Sequence, residues 1–341
     1  MSPNLPTLKR IGRTTLGRLL YATGVMLTLL LPAAARAQSD PQFTQYWAIP
    51  AYYNPAVAGS TDWIRIRGCA KLQWVGIENA PQSFIAAADS PFRIGAKRFG
   101  AGINFTQESL GLFKNILLNA QLSYNFKLFG GRLAIGVQGG YLTTKFKGSE
   151  VYIPDDDDYH NGSDTAIPNK DLAGNTFDIS AGLNFTHRLF WVGLSGLHLL
   201  NPTVQMSLEG SDANDAQEYE TEMARMLYLI AGSNIELNNT LFTLQPSVMV
   251  KTDLNTFTPE VTLRATYNKF ITFGAGYRLN EAVSVMIGAE YKNFFLGYAY
   301  DYPLSAISKA SSGSHEIVAG YQLKLDFSGK NRNRQRSIRI M

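Results

Sequence analysis

The sequence predicts an all-β fold: a transmembrane antiparallel β-barrel of about fourteen strands, preceded by a hatch-like segment that does not form strands. Three observations predict it. In the second half of residues 294–327 side chains alternate without error. His315, Ile317, Ala319, Tyr321, Leu323, Leu325 and Phe327 fall on one face, and Glu316, Val318, Gly320, Gln322, Lys324 and Asp326 on the other, the period of a strand with one apolar and one polar side. The first half repeats the pattern with Phe294, Leu296, Tyr298, Tyr300 and Tyr302, and the SKASSGS run between them supplies the turn of a hairpin. Each arm is about 10 residues, the length that crosses a bilayer core at roughly 45°. The third observation is an export signal combined with the lack of any apolar run near the roughly 18 residues that a spanning helix requires.

Composition narrows the function classes. The chain has 341 residues, and its formal charge of +4 invites a nucleic-acid reading. That charge is misleading, because Lys9, Arg10, Arg13, Arg18 and Arg36 lie in a leading segment without Asp or Glu. Without that segment the chain is close to neutral, and no basic groove for a phosphate backbone remains. The single cysteine, Cys69, excludes an intrachain disulfide and reads as a small strand residue.

Residues 1–37 have a basic start, an apolar core and the small-residue signal Ala35-Arg36-Ala37 before Gln38, the layout of a cleaved signal peptide. Export with amphipathic strands points to the cell outer membrane, since only closed barrels satisfy strand backbone groups in lipid. Residues 38–61 do not alternate and are broken by Pro41, Pro50 and Pro55, so they are not a barrel strand. They are nonetheless aromatic, with Phe43, Tyr46, Trp47, Tyr52 and Tyr53, and such a segment must bury itself in the barrel lumen or in a periplasmic flap beneath it. The lumen reading predicts that Trp47, Tyr52 and Tyr53 are buried.

Residues 62–327 are expected to form the barrel. Lipid-facing sets run from Ile64 and Ile66 through Phe84, Ala86 and Ala88; Ala101, Ile103 and Phe105; Ile116, Leu118, Ala120 and Leu122; and Leu133, Ile135 and Val137. They continue with Phe177, Ile179 and Leu183, then Phe190, Val192 and Leu194, then residues 223–237, whose faces are both apolar. Phe242 to Val250, Val261 to Tyr267, Ile271 to Tyr277 and Val283 to Tyr291 lead to the final hairpin. Short connections near residues 129–131, 187–188, 238–239, 268–269 and 292–293, with a somewhat longer one at 91–98, fall on one side. Long ones, 147–175 and 201–222, fall on the other, as periplasmic turns and outer loops do. Inward positions such as Asn104, Asn119, Gln121, Asp178, Glu260, Arg264 and Arg278 make the lumen wet or polar-packed. An even strand count places both termini in the periplasm, with residues 328–341 a basic periplasmic tail.

Chemistry-bearing clusters are sparse. Asp155, Asp156, Asp157 and Asp158, with His160 nearby, resemble a hard-cation loop but lack calcium-loop spacing, and read as a solvated surface for partners. The loop 209–222 reads likewise, for partners or outer-membrane lipids. His187 at a turn, His198 near an outer rim and His315 on the lipid face pair with no Ser or carboxylate at a mechanistic spacing; the expectation is no enzyme, no cofactor and no metal. Arg332, Arg334 and Arg336 in the tail are candidate contacts for an acidic partner.

Five stretches, DPQFTQYW, YYNPAVAG, LQWVGIENAPQSF, GLSGLHLLNP and GYAYDYPLSAISKASSGSHEIVAGYQ, resemble the PorP/SprF family of Bacteroidetes outer-membrane proteins, PorP most of all. The resemblance implies a part in type IX protein secretion and gliding motility, either as a core component or as the anchor of a secreted adhesin. The implied partners are the periplasmic ring, peptidoglycan-linked subunits and secreted cargo. The Asn54-Pro55-Ala56 triplet is also similar to the hatch of FadL-type transporters, which supports a plug. It leaves a FadL-like transporter of small hydrophobic molecules as the alternative function.

Overall fold

The computed structural model describes residues 40–151, 170–208, 219–238 and 240–325. The signal segment, the acidic run Asp155 to Asp158 and the tail arginines Arg332, Arg334 and Arg336 lie outside the described residues. Fourteen antiparallel strands form the wall. They are β1 (Trp63–Leu72), β2 (Gln82–Ile94), β3 (Lys97–Leu110), β4 (Phe113–Leu128), β5 (Gly131–Phe146), β6 (Leu172–Thr186) and β7 (Phe190–Leu197), followed by β10 (Met226–Ser233), which β11 (Ile235–Glu236) prolongs. The circuit continues with β12 (Phe242–Thr252), β13 (Phe257–Tyr267), β14 (Ile271–Arg278), β15 (Ala282–Tyr291), β16 (Phe294–Pro303) and β17 (Ser314–Lys324). The last strand pairs with the first, Trp63 opposite Lys324 and Leu72 opposite His315, so no strand edge is left unpaired in the wall.

Among the described residues, the outward sets named from the alternation face out. Leu118, Ile103 and Val285 are each more than half exposed, forming the apolar band that lipid requires. Near the short turns, outward aromatics pair across strands: Phe92 with Phe99, Phe185 with Phe190, Phe242 with Tyr267 and Phe294 with Tyr321. These pairs make an interfacial girdle.

Three connections differ from expectation. The turn placed at 91–98 is only Gly95 and Ala96, because Pro91 stays in register opposite Gly100; a proline deletes one ladder donor without ending the strand. The loop beginning at 147 ends earlier, since residues 172–175 already pair with β5. Within 201–222 the chain forms a hairpin, β8 (Thr203–Leu208) with β9 (Tyr219–Glu222). Its Val204 and Met206 pack on Leu117, Leu142 and Leu172. The doubly apolar stretch near 223–237 is one wall strand, β10. Leu227 and Leu229 point outward while Met226, Tyr228 and Ile230 are buried against an aromatic core inside the barrel.

Candidate functional site

That inner core is residues 40–60. Prolines keep them out of the sheet, and the segment forms three short helical turns, Tyr46–Ala48, Pro50–Tyr53 and Pro55–Val57, the last two started by proline. Pro50 and Pro55 occupy first-turn positions where a missing N–H costs nothing. The Asn54 side chain caps the third turn, accepting from the Ala56 N–H at 2.9 Å. Phe43, Tyr52, Tyr53 and the wall's Tyr228 stack edge to face at centroid distances of 4.9 to 5.7 Å, the arrangement favoured by ring quadrupoles.

Inward side chains all around the wall hold this segment. Toward the long-connection end, the Glu316 carboxylate accepts the N–H groups of Thr44 and Gln45, each at 2.7 Å. Thr44 Oγ1 donates to Asp301 at 2.6 Å, and Lys71 Nζ donates to Asp301 and to the Gln42 carbonyl, both at 2.8 Å. Gln42 Nε2 donates to Glu260 at 2.8 Å, and Arg278 Nε to the same carboxylate at 2.9 Å. Lower down, Gln121 donates to the Ala51 carbonyl at 2.7 Å, Ser195 to that of Tyr53 at 2.6 Å and Ser123 to that of Ala58 at 2.7 Å. The Gly59 N–H donates to Asp89 at 2.8 Å. Wall glycines let the backbones meet. A Cβ on Gly100 would lie 2.0 Å from the Ala58 carbonyl oxygen, and one on Gly136 would lie 2.2 Å from Ala56 N.

Tyr52, Tyr53, Asn54 and Pro55 are all buried, and Asn54 Nδ2 donates to the Leu183 carbonyl at 2.9 Å. Trp47 differs from the expectation of burial. It is half-buried, its ring under the Arg264 guanidinium at 4.0 Å, because it borders a cavity.

His198 also departs from the sequence reading. It is buried between two carboxylates, Nε2 at 3.0 Å from Asp40 and Nδ1 at 2.9 Å from Asp178. The pairing was invisible because one partner lies 158 residues away in a segment with no strand register. Burial opposes the imidazolium charge, but Asp40 and Asp178 outweigh it and hold the His198 pKa up, at about 10. Burial would raise the Asp40 carboxyl; His198 and Lys251 pull it below its ordinary range instead.

Asp40 meets His198, just past β7, and Lys251, near the end of β12, so it stands at the long-connection end. Asp62 and Leu325 meet at the short-turn end, where the Leu325 N–H donates to the Asp62 carbonyl at 2.8 Å. The segment therefore runs the length of the lumen, and residues 40 and 325 stand at opposite ends of the barrel. The strand count put the start of β1 and the end of β17 on one side, where Asp62 and Leu325 meet, and it carried no information on a lead-in that crosses the lumen before β1. What the sequence did offer and the reading missed was glycine at inward positions of neighbouring strands, Gly100, Gly102, Gly136 and Gly182, a sign of close backbone approach.

A family model described as type IX secretion system membrane protein PorP/SprF matches residues 35–321. No curated protein matches the chain. Among solved structures, the CymD monoaromatic hydrocarbon channel is similar at 11% identity and a TM-score of 0.44, covering 81% of this chain and 91% of that one. The translocator domain of the autotransporter NalP from Neisseria meningitidis is similar at 13% identity and a TM-score of 0.42, covering 77% and 88%. A Pseudomonas aeruginosa FadL homologue is similar at 10% identity and a TM-score of 0.41, covering 80% and 92%. Likeness at this level carries no argument about function.

Proposed function

The chain belongs to the PorP/SprF family of type IX secretion system membrane proteins, and from that premise we infer that this outer-membrane barrel supports protein export or surface anchoring by binding partners at its two ends. Residues 40–60 serve in this reading as a hatch, with Tyr52, Tyr53, Asn54 and Pro55 at its centre. The observation that carries the proposal is this segment itself: a buried polypeptide hydrogen-bonded to inward side chains around the wall suits a docking scaffold better than a conduit.

The short-turn end is the periplasmic face in this proposal. Phe129 is 86% exposed there, beside Lys127, Arg132 and Arg188 in an open cleft, a surface suited to the ring and peptidoglycan-linked subunits. The long connections, with the acidic run and the β8–β9 hairpin, then meet secreted cargo, an adhesin or outer-membrane lipids. The tail arginines Arg332, Arg334 and Arg336 remain candidate contacts on the periplasmic side.

The rival function, passage of small hydrophobic molecules, needs a continuous apolar pocket. Lys71, Asp301, Glu316, Arg278 and Glu260 crowd the upper lumen, which disfavours it. Deleting the gene and assaying exported and surface-displayed proteins tests the proposal. Loss of secretion or display is expected; unchanged levels of both would overturn it.

A further inference from the structure

Between the plug and the wall, toward the short-turn end, lies a cavity of about 340 Å³, inside the range of about 300–1,000 Å³ typical of small-molecule sites. Its apolar walls come from Trp47 and Val57 of the plug and Trp191 and Ile230 of the strands, and no Asp or Glu lines it. Two arginines do. Arg65 is already engaged by Asp89, through Nε at 3.0 Å and Nη2 at 2.8 Å. Arg264 is not: it is 7% exposed, it stacks on the Trp47 ring, and among the described residues no carboxylate lies within ion-pair distance of it. Its Nε and the Trp47 indole Nε1 are both buried without a hydrogen-bond partner.

A buried guanidinium lacking a counter-charge is costly. Arg278, the other arginine buried to this degree among the described residues, has its carboxylate, Glu260, at 2.9 Å. The geometry points to a binding site for a carboxylate borne on a short apolar or aromatic body, with the carboxylate against Arg264 and the body against Trp47 and Trp191. One uncompensated cation suits a monoanion rather than a phosphate dianion, and the guanidinium fork matches a carboxylate's two oxygens.

The route in has the same sign. The cavity shares Ser60, Thr61, Asn184 and Thr186 with the open cleft at the short turns, which carries Lys127, Arg132 and Arg188 and again no acidic residue, so an anion is drawn inward. The carboxylate has two possible sources, a free small acid or the carboxyl terminus of a polypeptide entering from the short-turn end. The site stands on this geometry and does not depend on the secretion reading.

The test is calorimetric titration of the full barrel in non-ionic detergent with phenylacetate and with glycylglycylphenylalanine, each beside its neutral amide. Saturable binding of at least one acid is expected, with its amide about tenfold weaker or more. Arg264→Gln, checked for folding by heat-modifiable gel migration, should lose the same factor, and Arg264→Lys should keep part of it. Tighter binding of phenylacetate identifies a free acid as the source, and tighter binding of the peptide identifies a chain terminus; either supports the site. No saturable binding of either acid, equal binding of acid and amide, or unchanged binding in Arg264→Gln overturns it. If Arg264→Gln does not fold, the comparison of acid with amide on the native protein decides.

Discussion

Lys71 is 3% exposed, with Asp301 at 2.8 Å and Glu316 at 3.6 Å. Those two carboxylates also hold the backbone N–H groups of Thr44 and Gln45 and the Thr44 hydroxyl, so the lysine neutralises the charges to which the plug is tied. Removing one partner of a buried ionic cluster strands the others, at a cost of about 3–5 kcal/mol. Lys71→Met should therefore lower stability by roughly that amount in denaturant unfolding, and Lys71→Met with Asp301→Asn should recover part of it. A loss under about 1 kcal/mol would show that water reaches the cluster. His198 gives a pH signature. Its pKa is held above its ordinary 6.5, at about 10, so its contribution is complete below the unfolded value and disappears as pH rises through the folded one. The thermal midpoint should fall between about pH 7 and pH 10 more steeply in the native protein than in His198→Gln; equal slopes would remove His198 from the balance.

At the level of elements, the wall and the plug were legible to different degrees. The strands were legible because alternation is a local property: a residue and its second neighbour share a face, and lipid rewards the apolar one. The strand β10 looked ambiguous for the same reason, since the inner face of Tyr228 and Ile230 meets aromatic rings instead of water. The lead-in could be recognised as non-strand from its prolines, but its course through the lumen depends on long-range pairs such as Asp40 with His198 and Thr44 with Asp301, which leave no periodic trace. The β8–β9 hairpin escaped notice because its strands are short and polar outside. The glycine positions supply the test at this scale. Gly136→Leu puts a side chain where Ala56 and Pro55 sit, so the plug must shift or leave. Protease cleavage within residues 50–60 should rise from undetectable to readily seen, while Gly139→Leu, whose Cβ meets nothing within 4 Å, should behave as the native protein.

For the molecule as a whole, the plug decides between scaffold and channel. Reconstituted native barrel should conduct few ions, and deletion of residues 40–59 should give steady conductance through a lumen lined by Asn104, Gln121, Ser180 and Thr262; equal conductance in both would remove the plug's barrier role. Sidedness is tested with single cysteines in a Cys69→Ser background, since Cys69 itself is 1% exposed. Asn255→Cys, in the exposed turn between β12 and β13, should react on whole cells with a membrane-impermeant thiol reagent. Asn268→Cys, in a short turn, should react only after lysis. The reverse pattern would invert the barrel.

The closure between β1 and β17 has a bearing on how the protein is built. Lys71 lies on β1 and Glu316 on β17, and between them Thr44 and Gln45 of the plug bind Glu316 while Gln42 binds Lys71. The lead-in is thus tied to both margins of the one junction that joins the start of the chain to its end. Ring closure and plug docking therefore draw on the same bonds: Thr44, held by Asp301 and Glu316 and close to Lys71, acts as a clasp across the seam, so loosening the plug also loosens the joint between the two margins.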